Sequence, residues 1–274
     1  MAVTMADISH LRKMSGAGMM DCKNALEEAN GDFDKAMEII RKKGQAVAAK
    51  RSDRDAAEGC VLATESGDFA AIVALKCETD FVAKNEQFIS LTKDILDVAV
   101  AKKPATKEEL LATPMADGRT IQNHITDRIG VTGEKMELGF YEFINGASTI
   151  SYIHPGNKLA TIVAFNQAID YQVARDVAMQ VAAMNPVAIR SDEVPQNIID
   201  QELEIARDKA RQSGKAEDLL DRIAQGALQK YFKDNTLLQQ EFVKDTKLTI
   251  EQYLQKQNKD LTAVAFKRVT LNVD

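Results

Sequence analysis

The side chains that most often carry enzyme chemistry are few in this 274-residue sequence. The histidines are His10, His124 and His154, and they lie in unrelated segments. None of them stands in an HExxH spacing, in which two histidines on one helix face bind a metal ion. We interpret each as a surface or structural histidine and predict no metal site.

The cysteines, Cys22, Cys60 and Cys77, are odd in number and form no CxxC pair. This usage argues against a disulfide framework or a thiolate zinc site, and it fits a reducing compartment. The sequence also lacks the GxSxG elbow of serine hydrolases and the Walker A loop that holds nucleotide phosphates. We therefore predict that the chain is not an enzyme and needs no cofactor.

Two short segments carry side chains that suit contact with another protein. Met19-Met20 follows the glycine-rich stretch at residues 16–18. Flexible apolar side chains in such a place are either tucked into their own domain or offered to a partner, and the pattern leaves both interpretations open.

The second segment is Thr79-Asp80-Phe81-Val82, called here the 79–82 segment. Asn85 is a good N-cap for the helix that follows, which places Asp80 and Phe81 in a connecting loop. Phe81 nevertheless stands seven residues before Phe88, so a helix that begins earlier would bury it. From pattern alone we favour that burial.

Apolar residues at helical spacing predict three helices between residue 5 and about residue 43. Asp21 and Asp32 are the expected N-caps of the second and third helices, and Gly44 is the expected end of the third. So small a unit suits docking better than housing an active site. The basic stretch from Arg41 to Arg54 could touch an acidic partner, but we favour its interpretation as a solvated helical linker.

From Glu58 the pattern becomes that of a β-hairpin followed by an apolar helix, and it occurs twice. A shift of 90 positions aligns residues 58–81 with residues 148–171. The two predicted turns then coincide, and Asp170-Tyr171 aligns with Asp80-Phe81. Two related α+β subdomains are therefore predicted.

Residues 196 to about 231 predict two amphipathic helices joined at Gly214, which together form an antiparallel helical hairpin. The pattern leaves open whether this hairpin projects and pairs with another chain or lies on its own body. The expected apolar stripe of the second helix contains Leu220, Ile223, Ala227 and Tyr231. A short helix capped by Thr249 and a terminal strand at residues 263–271 follow. This strand is expected to join the sheet of the second subdomain.

The predicted fold class is α+β, with an N-terminal three-helix domain, a core of two related hairpin-plus-helix subdomains and a protruding helical hairpin. The expected ranges are 1-45 for the N-terminal domain, 46-57 for a linker, 58-146 for the core N-subdomain, 147-192 and 246-274 for the core C-subdomain with a C-terminal module, and 193-245 for the coiled-coil-like hairpin.

Composition limits the choice of partners. The formal net charge is -6 and tryptophan is absent, so there is no overall footprint for nucleic acid and little to stack on single strands. No apolar run approaches the roughly 20 residues that span a bilayer. The N-terminus also lacks the apolar core of a signal peptide. We expect a cytoplasmic chain that binds neither nucleic acid nor membrane.

Two long stretches resemble the signatures of the bacterial elongation factor Ts family. They are residues 16–26, GAGMMDCKNAL, with EANGD at residues 28–32, and residues 77–84, CETDFVAK. The order of the predicted parts is similar across nearly the whole chain. Ala74 and Lys76 depart from the family pattern, which has Glu and Asn there, and we expect these positions to support a strand.

The resemblance implies a guanine-nucleotide exchange factor for the GTPase elongation factor Tu, which displaces Mg²⁺ and releases GDP so that GTP can rebind. It assigns the displacement to the 79–82 segment, with Phe81 as a wedge. It implies that Met19 and Met20 grip the GTPase domain and that His154 touches the partner. It also implies a UBA-like N-terminal domain, and further contacts of the hairpin and C-terminal module with the GTPase or a second copy, as a homodimer or a 2:2 complex.

Two other classes of function stay open on the sequence. A passive binding module would bind the GTPase equally well with and without GDP. An enzyme of unrecognised type would need a cleft with perturbed titratable groups.

Overall fold

The computed structural model describes residues 3–272 as a mixed α+β fold with N-terminal helices and several small antiparallel sheets, which confirms the fold class at that level. The helices are α1 (Met5–Ser15), α2 (Met19–Glu28), α3 (Phe33–Lys50), α4 (Asp80–Ala83), α5 (Glu86–Lys102), α6 (Lys107–Ala112), α7 (Ile121–Thr132), α8 (Tyr171–Met184), α9 (Gln196–Gln212), α10 (Glu217–Asn235) and α11 (Ile250–Gln255). The strands are β1 (Glu58–Ser66), β2 (Phe69–Cys77), β3 (Met136–Asn145), β4 (Ser148–Ile153), β5 (Leu159–Phe165), β6 (Glu241–Phe242), β7 (Asp245–Thr249) and β8 (Ala263–Thr270).

The strands form three sheets, with the orders β1-β2-β3, β4-β5-β8 and β6-β7. Cα packing divides the chain into two compact units. The first contains the chain up to Leu62, Val73–Tyr141 and the residues from Leu271 onward, and the second contains Ala63–Ile72 and Glu142–Thr270. Both predicted hairpins are present, and each leads into a helix.

In the first unit, α1, α2 and α3 enclose a small core around Leu11, Cys22 and Leu26. Asp32 caps α3 as predicted, because its carboxylate accepts the backbone N–H groups of Asp34 and Lys35.

The prediction that Gly44 ends α3 is wrong, because the helix continues to Lys50. Gly44 is buried where α3 meets α7, and a Cβ atom added to Gly130 would lie 2.6 Å from the Cα atom of Gly44. The absence of side chains at these two glycines therefore allows α3 and α7 to cross closely. The sequence of one helix alone does not reveal such a crossing.

In the second unit, β5 is buried along its whole length and pairs antiparallel with β4 and β8. The prediction that the terminal strand joins this sheet is confirmed. Val177 and Val181 of α8 pack in the same core as Val163 and Phe165 of β5. A polar tie supports this packing, since the buried Thr161 hydroxyl donates to the carbonyl oxygen of Ala178 at 2.8 Å.

The helical hairpin is formed by α9 and α10, with Gly214 in the left-handed region at the turn. The predicted stripe of α10 is partly wrong: Leu220 is buried, but so are Ala224, Leu228 and Phe232, while Ala227 is exposed. The buried stripe is displaced by one residue from the predicted one, because Leu228 and Phe232 pack with Ala188 and Val194.

The small sheet of β6 and β7 was not predicted, and a buried amide secures the link between its strands. Gln180 of α8 is fully buried, donates to the carbonyl oxygen of Glu241 at 3.1 Å and accepts from the N–H of Val243 at 3.0 Å. The sequence signal for this contact was the polar Gln180 among the apolar positions of α8.

Asp176 is a second buried polar residue on α8, and its carboxylate accepts three side-chain hydrogen bonds. Lys244 Nζ lies at 2.8 Å, Tyr253 Oη at 2.9 Å and Gln172 Nε2 at 2.7 Å. Burial alone would raise the pKa of Asp176, but these hydrogen bonds outweigh it and lower that pKa. Burial first, and then Asp176, raise the pKa of Tyr253 to about 12.

Replacing Asp176 with asparagine should lower the free energy of unfolding by about 2 kcal/mol at neutral pH, because Lys244 and Tyr253 lose a charged acceptor. Since the pKa of Asp176 is lowered in the folded state, its contribution is complete above the unfolded value of 3.8 and is lost as the pH falls through the folded value. Urea unfolding of both proteins should therefore show a smaller difference at pH 3 than at pH 7.

Asp97→Asn is the matched control, because the Asp97–Lys93 pair has the same 2.8 Å separation but is exposed to solvent. It should change stability little. An equal loss in the two variants would contradict the role of the buried network.

Candidate functional site

The 79–82 segment is held in a helical turn, and the prediction of a connecting loop is wrong. Thr79 is the N-cap of α4, and the N–H of Ala83 donates to the carbonyl oxygen of Thr79 at 3.1 Å. Asn85 then caps α5, as predicted, by accepting the N–H groups of Gln87 and Phe88. Sequence reasoning found the second cap and missed the first, although threonine is a good N-cap residue.

Phe81 is 83% exposed, whereas Phe88 is fully buried. The interpretation that Phe81 packs in the core is therefore wrong. Its physical basis fails because α4 and α5 are separate helices, so a spacing of seven residues does not place the two rings on one face. An exposed phenylalanine on an ordered turn is an apolar group available to a partner.

Asp80, beside Phe81, forms an ion pair with Lys84 across one turn, with 2.6 Å between Oδ2 and Nζ. This hydrogen bond raises the pKa of Lys84. The pair is exposed, and exposed pairs contribute little to stability. Asp80 can therefore exchange this contact for donors of another molecule at small cost.

Cys77, just before the segment, is buried beneath it. Burial, together with the nearby carboxylates of Glu134 and Glu58, raises the pKa of its thiol to about 12. A thiol in that state is a poor nucleophile at neutral pH, so the chemistry of this segment lies in its exposed side chains.

Met19 and Met20 begin α2, so they lie in its first turn and not in a loop. Their exposed fractions are 45% and 64%, so both side chains are available to a partner and are not tucked into their own domain. The predicted cap, Asp21, is wrong: Gly18 is the N-cap, and Asp21 within the helix pairs with Lys43.

His154 lies in the second unit, at the exposed turn between β4 and β5. The hydroxyl of Tyr152 and Nδ1 of His154 are 3.0 Å apart, and the backbone N–H of His154 donates to Leu159. Tyr171 is also in this unit and is 60% exposed at the start of α8. Asp170 is the N-cap of α8, which is the role that Asn85 has for α5 in the first copy. It is therefore not the structural counterpart of Asp80.

Within residues 3–272, no group of three or more His, Cys, Asp and Glu side chains could hold a metal ion. In the same range, none of the helices combines the length and the apolar composition that crossing a membrane requires. The exposed large apolar side chains of the first unit include Phe81 on α4, which is the most exposed of them, and Met19 and Met20 on α2, together with Met5, Met14 and Phe140.

Exposed apolar side chains of this kind suit a factor that works by binding another protein. Residues 78–272 match the family model described as elongation factor TS. Elongation factor Ts of Porphyromonas gingivalis is 76% identical over 274 residues, and that of Azobacteroides pseudotrichonymphae is 56% identical over 275. Elongation factor Ts of Bacteroides thetaiotaomicron is 47% identical over 331 aligned positions. All three alignments cover 100% of both chains.

The chain belongs to the elongation factor Ts family. It is a guanine-nucleotide exchange factor for elongation factor Tu and not an enzyme, which confirms both predictions.

Proposed function

We propose that the 79–82 segment is the part of this exchange factor that displaces Mg²⁺ and opens the nucleotide site of elongation factor Tu. The observation that carries the proposal is the 83% exposure of Phe81 on a capped helical turn. Phe81 acts as the wedge, and Asp80 trades its contact with Lys84 for donors of the GTPase. Met19 and Met20 grip the GTPase domain, and His154 makes a further contact.

Exchange of this kind needs differential binding and no acid or base. The factor must bind the nucleotide-free GTPase more tightly than the GDP-bound form. By thermodynamic linkage, GDP lowers the affinity of the GTPase for the factor by the same ratio as the factor lowers its affinity for GDP. Burial of a phenylalanine contributes about 1.5–3 kcal/mol. If Phe81 is buried only in the opened GTPase, that contact shifts the equilibrium about tenfold or more, at roughly 1.4 kcal/mol per decade.

The finer organisation expected from the sequence belongs to the same proposal. The domain at residues 1-45 is UBA-like and presents the methionines, and a linker at 46-57 joins it to two related core subdomains at 58-146 and at 147-192 with 246-274. The hairpin at 193-245 protrudes and contacts the GTPase or a second copy. Sedimentation of the complex distinguishes a 1:1 from a 2:2 assembly.

Titration of elongation factor Tu with this chain should give a dissociation constant at least tenfold lower for the nucleotide-free GTPase than for its GDP complex, because Phe81 is buried only in the open state. The chain should also accelerate release of a fluorescent GDP analogue. Equal affinity for the two states would identify a passive binding module and contradict the proposal.

A further inference from the structure

We propose that Glu134 is the residue that positions the 79–82 segment for exchange. The inference rests on the function proposed above for Phe81. It comes from a contact between residues 55 positions apart in the chain.

The carboxylate of Glu134 binds Thr79 through both oxygens. The backbone N–H of Thr79 donates to Oε2 at 3.0 Å, and its hydroxyl donates to Oε1 at 2.6 Å. Because the hydroxyl hydrogen points to Glu134, the lone pairs of Oγ1 are free to accept the N–H of Val82 at 3.4 Å. The carbonyl oxygen of Thr79 accepts from the N–H of Ala83 and from the Cys77 thiol at 3.2 Å. Every polar atom of Thr79 is thus used, and Glu134 supplies the charged contacts.

The direction of Phe81 depends on this clamp. α4 has four residues, far fewer than a helix needs for stability of its own, so its geometry is imposed by its ends. The Phe81 ring is too exposed to be held by packing. Thr79 at one end of α4, with the buried Ala83 at the other, therefore connects the ring to the body of the first unit, and Thr79 is the end held by a charged contact.

Glu134 is itself fixed, which makes it a rigid support. It follows Gly133, the left-handed C-cap of α7, and its N–H donates to the hydroxyl of Thr132 at 3.3 Å. The next residue, Lys135, donates its backbone N–H to Glu78 at 2.7 Å. Glu134 and Lys135 thus bind the neighbouring residues Thr79 and Glu78. Glu134 accepts hydrogen bonds from Thr79, whereas Lys135 donates one to Glu78. Arg51 adds an ion pair to Glu78 at 3.2 Å.

The test is Glu134→Ala, assayed for stimulated release of GDP from elongation factor Tu. We expect the maximal stimulated rate to fall about tenfold, because a mobile Phe81 must be ordered during each encounter. Because the ordering cost is present in the final complex as well, the affinity for the nucleotide-free GTPase should fall by a similar factor, and by no more than it does for Phe81→Ala. Glu134→Gln keeps one acceptor oxygen for the Thr79 hydroxyl, so it should lie between Glu134→Ala and the parent chain.

Glu137→Ala is the matched control. Glu137 lies three residues further along, and its carboxylate forms long ion pairs with Lys76 and Lys135, at 3.7 and 3.5 Å. Its removal should leave exchange within about twofold of the parent. A decrease like that of Glu134→Ala would show that charge in this region, and not the clamp on Thr79, sets the rate.

A double-mutant cycle with Phe81→Ala separates this inference from the proposed function. If Glu134 acts through Phe81, adding Glu134→Ala to Phe81→Ala should reduce exchange no further. An undiminished tenfold decrease in that background would overturn the positioning role, and so would normal exchange by folded Glu134→Ala. Normal exchange by Phe81→Ala alone would instead overturn the function proposed for the segment. If Glu134→Ala does not fold, Glu134→Gln carries the same cycle.

Discussion

Phe81→Ala should reduce stimulated release of GDP from elongation factor Tu by about tenfold to a hundredfold, while the factor itself remains folded. The loss follows from the burial of a phenylalanine in the partner, which contributes about 1.5–3 kcal/mol. The stability of the free factor should change little, because the ring is 83% exposed and supports no core. Stopped-flow release of a fluorescent GDP analogue and urea unfolding measure the two quantities.

Tyr171→Ala is the matched control for this variant. Tyr171 is another exposed aromatic side chain near the start of a helix, in the second copy of the hairpin-plus-helix pattern. Its hydroxyl accepts a hydrogen bond from Arg175 at 3.3 Å, a local contact with its own helix. Exchange by Tyr171→Ala should stay within about twofold of the parent. Unchanged exchange by Phe81→Ala would contradict the role of Phe81 as a wedge. A loss of about 3 kcal/mol in the stability of that variant would instead mean that Phe81 packs in the core.

Sequence reasoning succeeded where the signal lies within one element. The N-caps Asp32, Asn85 and Thr249 were all identified, because a cap bonds to the backbone two or three residues further on. The two hairpins followed from apolar runs on either side of a turn, and the terminal strand was placed in the correct sheet.

It failed where the structure is decided by residues distant in the chain. The turn at Thr79 is stabilised by Glu134, so pattern near residue 79 could not distinguish an ordered, exposed Phe81 from a buried one. The β6–β7 segment is secured by Gln180, about 60 residues earlier, and no local periodicity marks it. The family resemblance reversed the burial expected for Phe81 because it carries information about the partner that the residue pattern lacks.

Gly130→Ala should lower the free energy of unfolding by about 3 kcal/mol, the upper part of the range for overpacking. The added methyl group would lie 2.6 Å from Cα of Gly44 and 3.5 Å from its nitrogen, so backbone and not a flexible side chain must move. Relief requires α3 to shift away from α7, and α3 is the helix on which α2, with Met19 and Met20, packs. Urea unfolding gives the loss of stability, and the affinity for elongation factor Tu should fall with it.

Two other glycine substitutions make this result specific to the crossing. A methyl group on Gly226 of α10 meets nothing within 4 Å, so Gly226→Ala should gain up to about 1 kcal/mol from helix propensity. Gly44→Ala meets the carbonyl oxygen of Thr126 at 3.4 Å and Cα of Gly130 at 3.5 Å, which are ordinary contacts, so its effect should lie between the other two. Equal stability of the three variants would show that α3 and α7 are not in close contact. The expected order, with Gly130→Ala far below the others, would show that a glycine first interpreted as a helix stop is instead part of the joint that carries the N-terminal helices.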